Sequence, residues 1–452
     1  MSYPIKFKSL RFPWKRRADG QRSFQSGSQG PRARVAIAYV GCIVPDEARF
    51  HNAAFSRAGQ MYQQELLLGL KRTGLAPSLI LSVVPMPAYP KVRRIWVQGG
   101  EACLPEKLPL TLLSFLNLTP LKQISIGISV ILHLLGWGWR NRQATSRVVY
   151  TYNLSVPPGL FTLLGARLIR AKAVASLCDI DVPGATVPSS WVWRLDYWLQ
   201  RKLIPHFDGR VVASDDIVRD FSPGSPYLRL EGGVRDEVFA RTEDAPAINS
   251  ANGTPFVIAA AGRLDEANGF PILLKAFSFL KGDQYRLHIA GGGALERYVR
   301  EAAAMDPRIT YLGMISFSDV LQLYRHSDVL VSMRETKNLN TRYFFPSKMM
   351  EYLASGTPVI TTCTGHVEEE FGSFVYLLRE ETPEGLVDMI RYVAGLDEHV
   401  RKAMGQKARS YMATHKTWDA QSRRLAKYIR EVVLRADSGP VEGQAVSPFA
   451  HV

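Results

Sequence analysis

Cysteine is scarce in this chain, which excludes the protein classes that depend on it. The 452 residues include only four cysteines, and no two of them have C-x-x-C spacing: Cys42, Cys103, Cys178 and Cys363. Neither a zinc site nor a disulfide framework is therefore predicted. A reducing compartment fits this cysteine usage best.

Long apolar runs are equally rare. The one candidate membrane segment, Ile124–Trp139, has sixteen residues between Lys122 and Arg140, fewer than the ~20 that a helix needs to span a bilayer. His133 inside it would be costly in hydrocarbon, and the two Trp at its end suit a membrane interface. The segment predicts an interfacial helix, and a buried core helix is an equally good interpretation.

Several common catalytic motifs are also missing. The chain contains no G-x-S-x-G, H-E-x-x-H or Walker A pattern, so the hydrolases, zinc proteases and P-loop enzymes that carry them are not indicated. His366 and the run Glu368–Glu370 have side chains that bind metals, but an acidic run is more often a solvated surface. No metal site is predicted.

Acidic residues are fewer than basic ones, and the excess is concentrated at the start of the chain. The net charge is +15, and residues 1–34 hold nine Lys or Arg against one Asp, with Phe7, Phe12 and Trp14 between the cations. This mixture suits an anionic membrane surface. A solvated, disordered tail is the plain alternative, and nucleic acid is a third partner for such a tail. Because the rest of the chain has no nucleic-acid motif, none is expected as a partner.

The remaining sequence predicts a two-domain α/β protein. Hydrophobic residues make up 46% of the 452 residues, and a chain of this length exceeds the ~250–300 residues that one core usually fills. β-rich runs alternate with helical patterns, which predicts parallel sheets with helices on both faces. The predicted strands are Arg34–Gly41, Ser78–Val84, Val148–Asn153, Ala173–Asp179, Gly209–Ser214, 256–262, 285–291, 308–313, 328–333 and 357–362.

The stretch Phe344–Thr362 predicts a nucleotide site. Ser347, preceded by Pro, is typical of a helix start, and Gly356 is typical of a helix end. The free N–H groups of a first helical turn can hold a phosphate, and Lys348 adds a cation there. Glu351 lies on the same face as Ser347 at i,i+4, where a carboxylate can accept hydrogen bonds from ribose hydroxyls.

This stretch resembles the donor-binding helix of glycosyltransferase family 4, whose members are retaining enzymes with the GT-B architecture. The family pattern is a Glu, seven residues, a second Glu and then A-x-G-x-P-V-I. Glu351 matches the second Glu, and residues 354–360 match the tail. Tyr343 occupies the position of the first Glu, which in the family contacts the transferred sugar. The P-S-K-x-x-E-Y-L-A form seen here is similar to a subgroup of the same family.

Two upstream segments resemble the same family. Residues 256–277 are similar to the G-R-L-x-x-x-K-G element that places an Arg and a Lys on the donor diphosphate: Gly262 and Arg263 match, whereas Asn268 stands at the Lys position. The resemblance makes Lys348 the candidate that restores this charge. Residues 285–303 add a glycine turn with Gly292 at its centre, which would allow close backbone approach to a ligand.

The resemblance implies a GT-B fold with two Rossmann-like domains facing across a cleft. The expected parts are a basic flexible tail over 1–33, an acceptor-side domain over 34–240, a linker over 241–255, a nucleotide-sugar-binding domain over 256–415, a crossover helix over 416–435 that returns to the first domain, and a flexible tail over 436–452. The donor would be a nucleotide-diphosphate sugar bound as substrate, with no cofactor and no metal.

The implied function is a retaining hexosyltransferase of exopolysaccharide or lipopolysaccharide biosynthesis with a lipid-linked saccharide acceptor. It would be cytoplasmic and peripheral on the inner face of the cell membrane. Arg263 and Lys348 would be catalytic, and Asp181, beside Asp179 at a strand end, is a candidate to orient the acceptor hydroxyl. Asp is also a common turn residue. The alternatives are a non-catalytic GT-B scaffold or regulator of a polysaccharide assembly complex, and an enzyme of other nucleotide-sugar chemistry such as epimerisation.

Overall fold

The structure is a computed structural model that describes residues 34–45, 50, 56–153, 158–178, 180–184, 187–240, 255–336, 341–343 and 345–435. The two predicted tails, linker residues 241–254 and Asp179 lie outside this part of the chain.

Sixteen strands and thirteen α-helices form the described part of the chain. The strands are β1 Val35–Gly41, β2 Leu79–Ser82, β3 Trp96–Val97, β4 Gly100–Leu104, β5 Leu108–Leu112, β6 Phe115–Leu116, β7 Ser146–Tyr152, β8 Lys172–Leu177, β9 Gly209–Val212, β10 Tyr227–Arg229, β11 Phe256–Arg263, β12 Tyr285–Gly292, β13 Ile309–Gly313, β14 Val329–Ser332, β15 Val359–Thr362 and β16 Tyr376–Leu378. The helices are α1 Arg57–Arg72, α2 Leu121–Arg140, α3 Pro158–Leu168, α4 Trp191–Leu203, α5 Asp215–Phe221, α6 Phe270–Phe279, α7 Glu296–Met305, α8 Phe317–Arg325, α9 Ser347–Ser355, α10 Val367–Phe371, α11 Pro383–Gly395, α12 Glu398–His415 and α13 Trp418–Tyr428.

The strands form two large sheets, one in each half of the chain. The first has the order β10-β9-β8-β7-β1-β2-β5-β4 and the second the order β13-β12-β11-β14-β15-β16. The second sheet is parallel throughout, and the predicted strands of both halves are present. Each sheet starts near its centre and winds outward in two directions. This doubly wound order places a ligand-binding crevice at the carboxyl ends of the central strands.

One strand departs from the predicted parallel arrangement. β4 pairs with β5 in the antiparallel direction, because only the three-residue turn Pro105–Lys107 joins them. A parallel connection needs a crossover of a dozen residues or more. Short strands β3 and β6 form a separate antiparallel ribbon beside α2, where the Leu116 N–H donates to Ser125 Oγ at 3.1 Å.

Helix α2 is longer than its apolar run suggested. It has 20 residues and is the one helix in the described chain that is long and apolar enough to cross a membrane. Ile126, Val130 and Leu134 are nevertheless buried in the first core, so one side of the helix packs within the domain. Helix α2 therefore packs against the core with one side and exposes the opposite side.

The end of the described chain returns to the first domain. Trp418 and Leu425 of α13 belong to the hydrophobic core of the first half. A Cβ on Gly69 of α1 would lie 1.7 Å from Ser422 Oγ, so glycine is required where α1 and α13 meet. The Val234 N–H donates to the Lys416 carbonyl at 2.7 Å, which ties the crossover to the close of the first domain.

Candidate functional site

Helix α9 begins and ends where its sequence signals predicted. Pro346 is the residue before its first turn and makes no side-chain cap, and Gly356 ends the helix with a left-handed φ of 86°. The hydroxyl of Tyr352 accepts from the Ala261 N–H at 2.7 Å and donates to the Ala261 carbonyl at 2.9 Å. These two buried bonds fix α9 against the carboxyl end of β11.

Lys348 lies across this strand end. A Cβ built on Gly262 would be 3.4 Å from Lys348 Nζ, so the ammonium group sits directly over the backbone at that glycine. Although Lys348 reaches the solvent of the cleft, surrounding protein desolvates it and lowers its pKa, while nearby Glu351 opposes the shift. The arrangement supplies a cation to any anion that lies over Gly262.

Glu351 is half-buried one turn further along α9. Burial raises its pKa, against the opposing influence of Lys348 and then of Arg235. Within the described residues, its carboxylate has no hydrogen bond or ion pair. A desolvated carboxylate without a partner has acceptor capacity for a ligand with hydroxyl donors.

A cavity of about 420 Å³ opens at the carboxyl ends of β11 and β14 beside the start of α9. Four of the predicted binding residues line it, namely Gly262, Arg263, Ser347 and Lys348. Glu351 and Gly292 do not line it. The structure therefore brings the predicted diphosphate side of the site together, with Glu351 behind it on the same helix.

The positive charge near this cavity has a source that the sequence did not predict. Asn268, which stands in place of a family Lys, accepts a hydrogen bond from Arg334 Nη1 at 3.2 Å. Asn268 also donates to Asp265 Oδ1 at 2.7 Å, and Arg334 lines the cavity with it. Arg263 is 82% exposed and only loosely paired with Asp265 at 3.3 Å, so it remains available to a ligand. Two guanidinium groups and one ammonium group thus face the cavity.

The glycines at the end of β12 allow β11 and β12 to approach each other closely. A Cβ on Gly291, whose φ is 131°, would lie 1.8 Å from the Gly262 carbonyl oxygen. One on Gly293 would lie 2.4 Å from the Leu264 carbonyl oxygen. Gly292 has more room, with Met314 Sδ at 3.2 Å. The predicted ligand-binding role of Gly292 stays a prediction, whereas its neighbours let β11 and β12 end side by side.

Tyr343 contributes to the contact between the first and the second half of the chain. It is 8% exposed, its ring packs on Phe221 at 5.2 Å, and its hydroxyl donates to Asp220 Oδ2 at 2.6 Å. Burial raises the pKa of Tyr343, and the hydrogen bond to Asp220 raises it further. The neighbouring Arg342 pairs with Asp220 at 3.0 Å. Tyr343, which stands where the family 4 pattern has its first Glu, therefore holds the loop before α9 on the first domain.

A second cavity, of about 310 Å³, continues from the first into the first domain. Residues that line both are Ser56, Ala58, Phe345 and Ser347. Asn153, in a left-handed conformation at φ 51°, lines it at the end of β7 and accepts from the Cys178 N–H at 2.9 Å. Gly59 at the start of α1, which the sequence placed near a possible phosphate, lines this cavity as well, whereas Asn153 is a site residue that sequence reasoning missed.

Asp181 lines neither cavity. Although Asp181 is exposed, desolvation by the surrounding protein raises its pKa, and the negative charge of Asp196 on α4 adds to this. The structure places it beside α4 and not with Arg263 and Lys348, and its role in catalysis stays a prediction.

A buried charge network lies beside the second cavity, and it corrects one expectation. Glu370, predicted to be part of a solvated acidic run, accepts from Lys416 Nζ at 2.6 Å and from Arg229 Nη2 at 3.0 Å. Lys416 also bonds Glu231 at 3.0 Å, and His366 Nε2 lies 2.9 Å from that carboxylate. The prediction was wrong for Glu370 because its partners come from distant parts of the chain.

The same network contains a group with metal-binding spacing. Ligand atoms of Glu231, His366 and Glu370 lie within 4.8 Å of one another. Lys416 and Arg229, however, already bring two cations to these carboxylates. A divalent ion there would face their repulsion, so the chemistry of the group favours an ion-pair network.

The sequence comparison matches the second half of the chain to one family. Residues 255–395 match the family described as Glycosyl transferases group 1. No curated protein sequence matches the chain.

Solved structures match nearly the whole chain in fold. HepE of Anabaena, in complex with UDP and glucose, has 15% identity and a TM-score of 0.61, over 87% of this chain and 99% of that one. Sucrose-phosphate synthase of Thermosynechococcus elongatus has 15% identity and a TM-score of 0.60, over 89% and 100%. A UDP-forming trehalose-phosphate synthase of Burkholderia vietnamiensis has 12% identity and a TM-score of 0.58, over 88% and 99%. The predicted fold is confirmed: the chain has the GT-B fold, and residues 255–395 are similar to group 1 glycosyl transferases.

Proposed function

We propose that this protein is a retaining glycosyltransferase of the family 4 type that transfers a hexose from a nucleotide-diphosphate donor to a lipid-linked saccharide. The observation that carries the proposal is the arrangement on α9. Lys348 lies over the backbone at Gly262, and Glu351, without a partner in the described chain, follows one turn later. A cation beside free helix N–H groups suits a diphosphate, and a carboxylate next to it suits a ribose.

The named structural neighbours support a nucleotide-sugar donor. HepE of Anabaena has been solved with UDP and with UDP-glucose, and another neighbour is named as UDP-forming. Because these chains share 12–15% identity with this one, they support the class of donor and leave the base to be measured. UDP is the first nucleotide to test.

The cations around the larger cavity would stabilise the leaving group. As the bond to the sugar breaks, negative charge grows on the departing diphosphate, and Lys348, Arg263 and Arg334 face the place where it would lie. Preorganised charge of this kind is often the largest contribution to catalysis. Resemblance to family 4 further suggests attack from the face that the diphosphate leaves, with a phosphate oxygen taking the proton of the acceptor hydroxyl.

The acceptor would occupy the smaller cavity. It adjoins the donor cavity through four shared wall residues and reaches the first domain at Asn153. The basic segment 1–33, which would contact anionic lipid, supports a cytoplasmic protein that is peripheral on the inner face of the cell membrane. With that location we propose a lipid-linked saccharide acceptor and a role in exopolysaccharide or lipopolysaccharide biosynthesis.

A non-catalytic GT-B scaffold is the second candidate, and Tyr343 favours it. Its side chain is buried against Phe221 and bonded to Asp220, so it cannot replace the sugar contact of the family Glu. The three cations at the cavity favour the enzyme, since a scaffold has no need of a diphosphate clamp.

Calorimetric titration with UDP and with GDP tests the proposal. The wild-type chain should bind one of them, and Glu351→Gln should weaken that binding roughly tenfold or more, because the lost carboxylate is a charge-assisted acceptor worth about 1.5–3 kcal/mol. Glu301→Gln is the matched control, since Glu301 is an exposed partner of Arg297 on α7.

Two results would separate the candidates. Binding together with transfer of labelled sugar to a lipid extract, with the anomeric configuration of the donor kept, supports the transferase. If neither nucleotide binds, the proposed donor site does not exist and the scaffold takes its place.

A further inference from the structure

Helix α2 exposes a continuous apolar stripe. Ile128, Leu132 and Trp139 are 51%, 62% and 66% exposed. With Leu121, Ile124 and Leu135 they recur every three or four residues, which is the spacing of one helix face. The buried side of α2 holds the core residues named above. The stripe is therefore an outward face that the described part of the chain leaves uncovered.

Two further helices extend this apolar surface. On α3, Leu164 and Leu168 are exposed. On α4, Trp191, Leu195 and Trp198 are 75%, 47% and 54% exposed and share one face at i, i+4 and i+7. Of the twenty-three large hydrophobic side chains that are exposed in the described residues, twelve belong to α2, α3 and α4.

Topology places these three helices on one side of the first sheet. The chain passes through α2 into β7, through α3 into β8 and through α4 into β9, always in the same direction across the sheet. Right-handed crossovers in one direction put their helices on the same face. A Cβ on Gly127 of α2 would lie 2.2 Å from the Phe161 ring of α3, so these two helices are in close contact. Helix α13 lies with α1, which connects β1 to β2 in the other direction.

The same helices carry almost only positive charge. They hold six Lys or Arg and one Asp: Lys122, Arg140, Arg167, Arg194, Arg201, Lys202 and Asp196. The Arg142 guanidinium lies over the Trp139 ring at 4.7 Å. Two of these cations have partners in the protein, since Lys122 bonds the Met86 carbonyl and Arg167 pairs with Asp208. Exposed Trp and aliphatic side chains on helices with a net positive charge are typical of a surface that enters the headgroup region of an anionic bilayer.

The positive charge of α2, α3 and α4 also indicates which partner could cover their exposed apolar face. A second copy would bring the same cations against each other, and like charges across an interface oppose association. Segment 1–34 of this chain has a net charge of +8 (nine basic residues against one acidic) and would be repelled in the same way. An anionic lipid surface is the occupant that complements both the apolar and the positive character.

We infer that the face formed by α2, α3 and α4 docks the folded first domain on an anionic membrane, with Trp191, Trp198 and the α2 stripe entering the headgroup layer. Helices α3 and α4 follow the carboxyl ends of β7 and β8, the two strand ends at which Asn153 and Cys178 line the smaller cavity. The docked face thus borders the cleft, and a lipid-linked acceptor would reach it without leaving the bilayer. This last point rests on the proposed function, whereas membrane docking itself does not.

Vesicle flotation of the full chain tests the inference without any nucleotide or acceptor. Vesicles of phosphatidylcholine mixed with phosphatidylglycerol should carry the wild type, and vesicles of phosphatidylcholine alone should carry less. The double variant Trp191→Ser and Trp198→Ser should bind the mixed vesicles roughly tenfold less, because the apolar area that enters the bilayer is lost. A double variant of Met305→Ser and Tyr392→Ser, which removes exposed side chains of the second half, should bind as the wild type does.

Salt dependence and Trp quenching distinguish vesicle binding through this face from vesicle binding through the basic tail. At about 1 M salt the Debye length is only about 3 Å, so contacts made by charge alone are lost and apolar insertion remains. Brominated lipid should quench part of the wild-type Trp emission and less of it in the Trp double variant. The inference is wrong if the Trp double variant binds vesicles and is quenched to the same extent as the wild type. It is also wrong if the wild-type chain self-associates and does not bind vesicles. Melting curves that match the wild type's exclude misfolding of the variants.

Discussion

Lys416→Met should be among the most destabilising single substitutions in this chain. Lys416 is 3% exposed, and its Nζ bonds both Glu231 and Glu370, at 3.0 and 2.6 Å. Methionine fills a similar volume but leaves a carboxylate buried without its main cation. Breaking a buried pair in this way costs about 3–5 kcal/mol. By contrast, Lys402→Met removes an exposed i,i+4 pair with Glu398 and should leave the free energy of unfolding nearly unchanged.

A double-mutant cycle in urea tests the reason for this loss. Glu231→Gln alone should also be strongly destabilising, because it leaves Lys416 with one carboxylate in place of two. The double variant should cost clearly less than the sum of the single ones, since no buried charge is left alone. Tryptophan fluorescence follows the unfolding transition of the first domain, whose core includes Trp418. The network as described would be refuted if the losses in free energy of unfolding of the two single variants added up to that of the double variant. A Lys416→Met variant as stable as the Lys402→Met control would refute it as well.

The effect of pH gives an independent check. Burial alone would raise the pKa of Glu231, but Lys416, His366 and Arg229 hold it well below its ordinary value. An unfolded Glu titrates near pH ~4.3, so the network's contribution is complete above that pH. It is lost as the pH falls through the lower pKa of the folded protein. The difference in the free energy of unfolding between the wild type and Lys416→Met should therefore be constant near neutral pH and should become smaller in acid.

Three further predictions concern the candidate site. Gly291→Ala should lower the melting temperature and abolish nucleotide binding, because its Cβ would lie 1.8 Å from the Gly262 carbonyl oxygen; a variant with wild-type melting would contradict the close approach of these strands. Burial raises the pKa of Glu351, so nucleotide affinity measured by calorimetry should fall as the pH drops toward that raised pKa, and Glu351→Gln should flatten this profile. Tyr343→Phe should cost about 1.5–3 kcal/mol in urea unfolding because it breaks the bond to Asp220, and an unchanged stability would mean that this contact does not form in solution.

Local signals were sufficient to predict helix α9. A Pro-Ser start and a Gly end act within a few residues, and the structure places the helix at Ser347–Ser355 with a left-handed Gly356. The cation on its first turn and the carboxylate one turn later then follow from helical spacing alone. The most informative part of the site was therefore predictable without any tertiary information.

Contacts between distant segments were not predictable in this way. Arg334 meets Asn268 across 66 positions, and Glu370 meets Arg229 across 141. Neither pairing leaves a periodic pattern in the sequence, so an acidic run was expected to be solvated and a lost Lys was expected to be replaced by Lys348 alone. The amphipathic spacing of Trp191, Leu195 and Trp198 was a usable signal that periodicity could have found.

The two departures from the family pattern have different consequences. At Asn268 the amide oxygen accepts a hydrogen bond from Arg334 at 3.2 Å beside the cavity, so a guanidinium group stands near the position where the family pattern has a Lys. At Tyr343 the acidic side chain is lost and the residue bonds Asp220 of the first domain. Under the proposed function, a Tyr at this position removes the acidic contact to the sugar and stabilises the contact between the two halves of the chain. The proposal therefore predicts a difference from family 4 enzymes in the choice of sugar, and an affinity for the diphosphate similar to theirs.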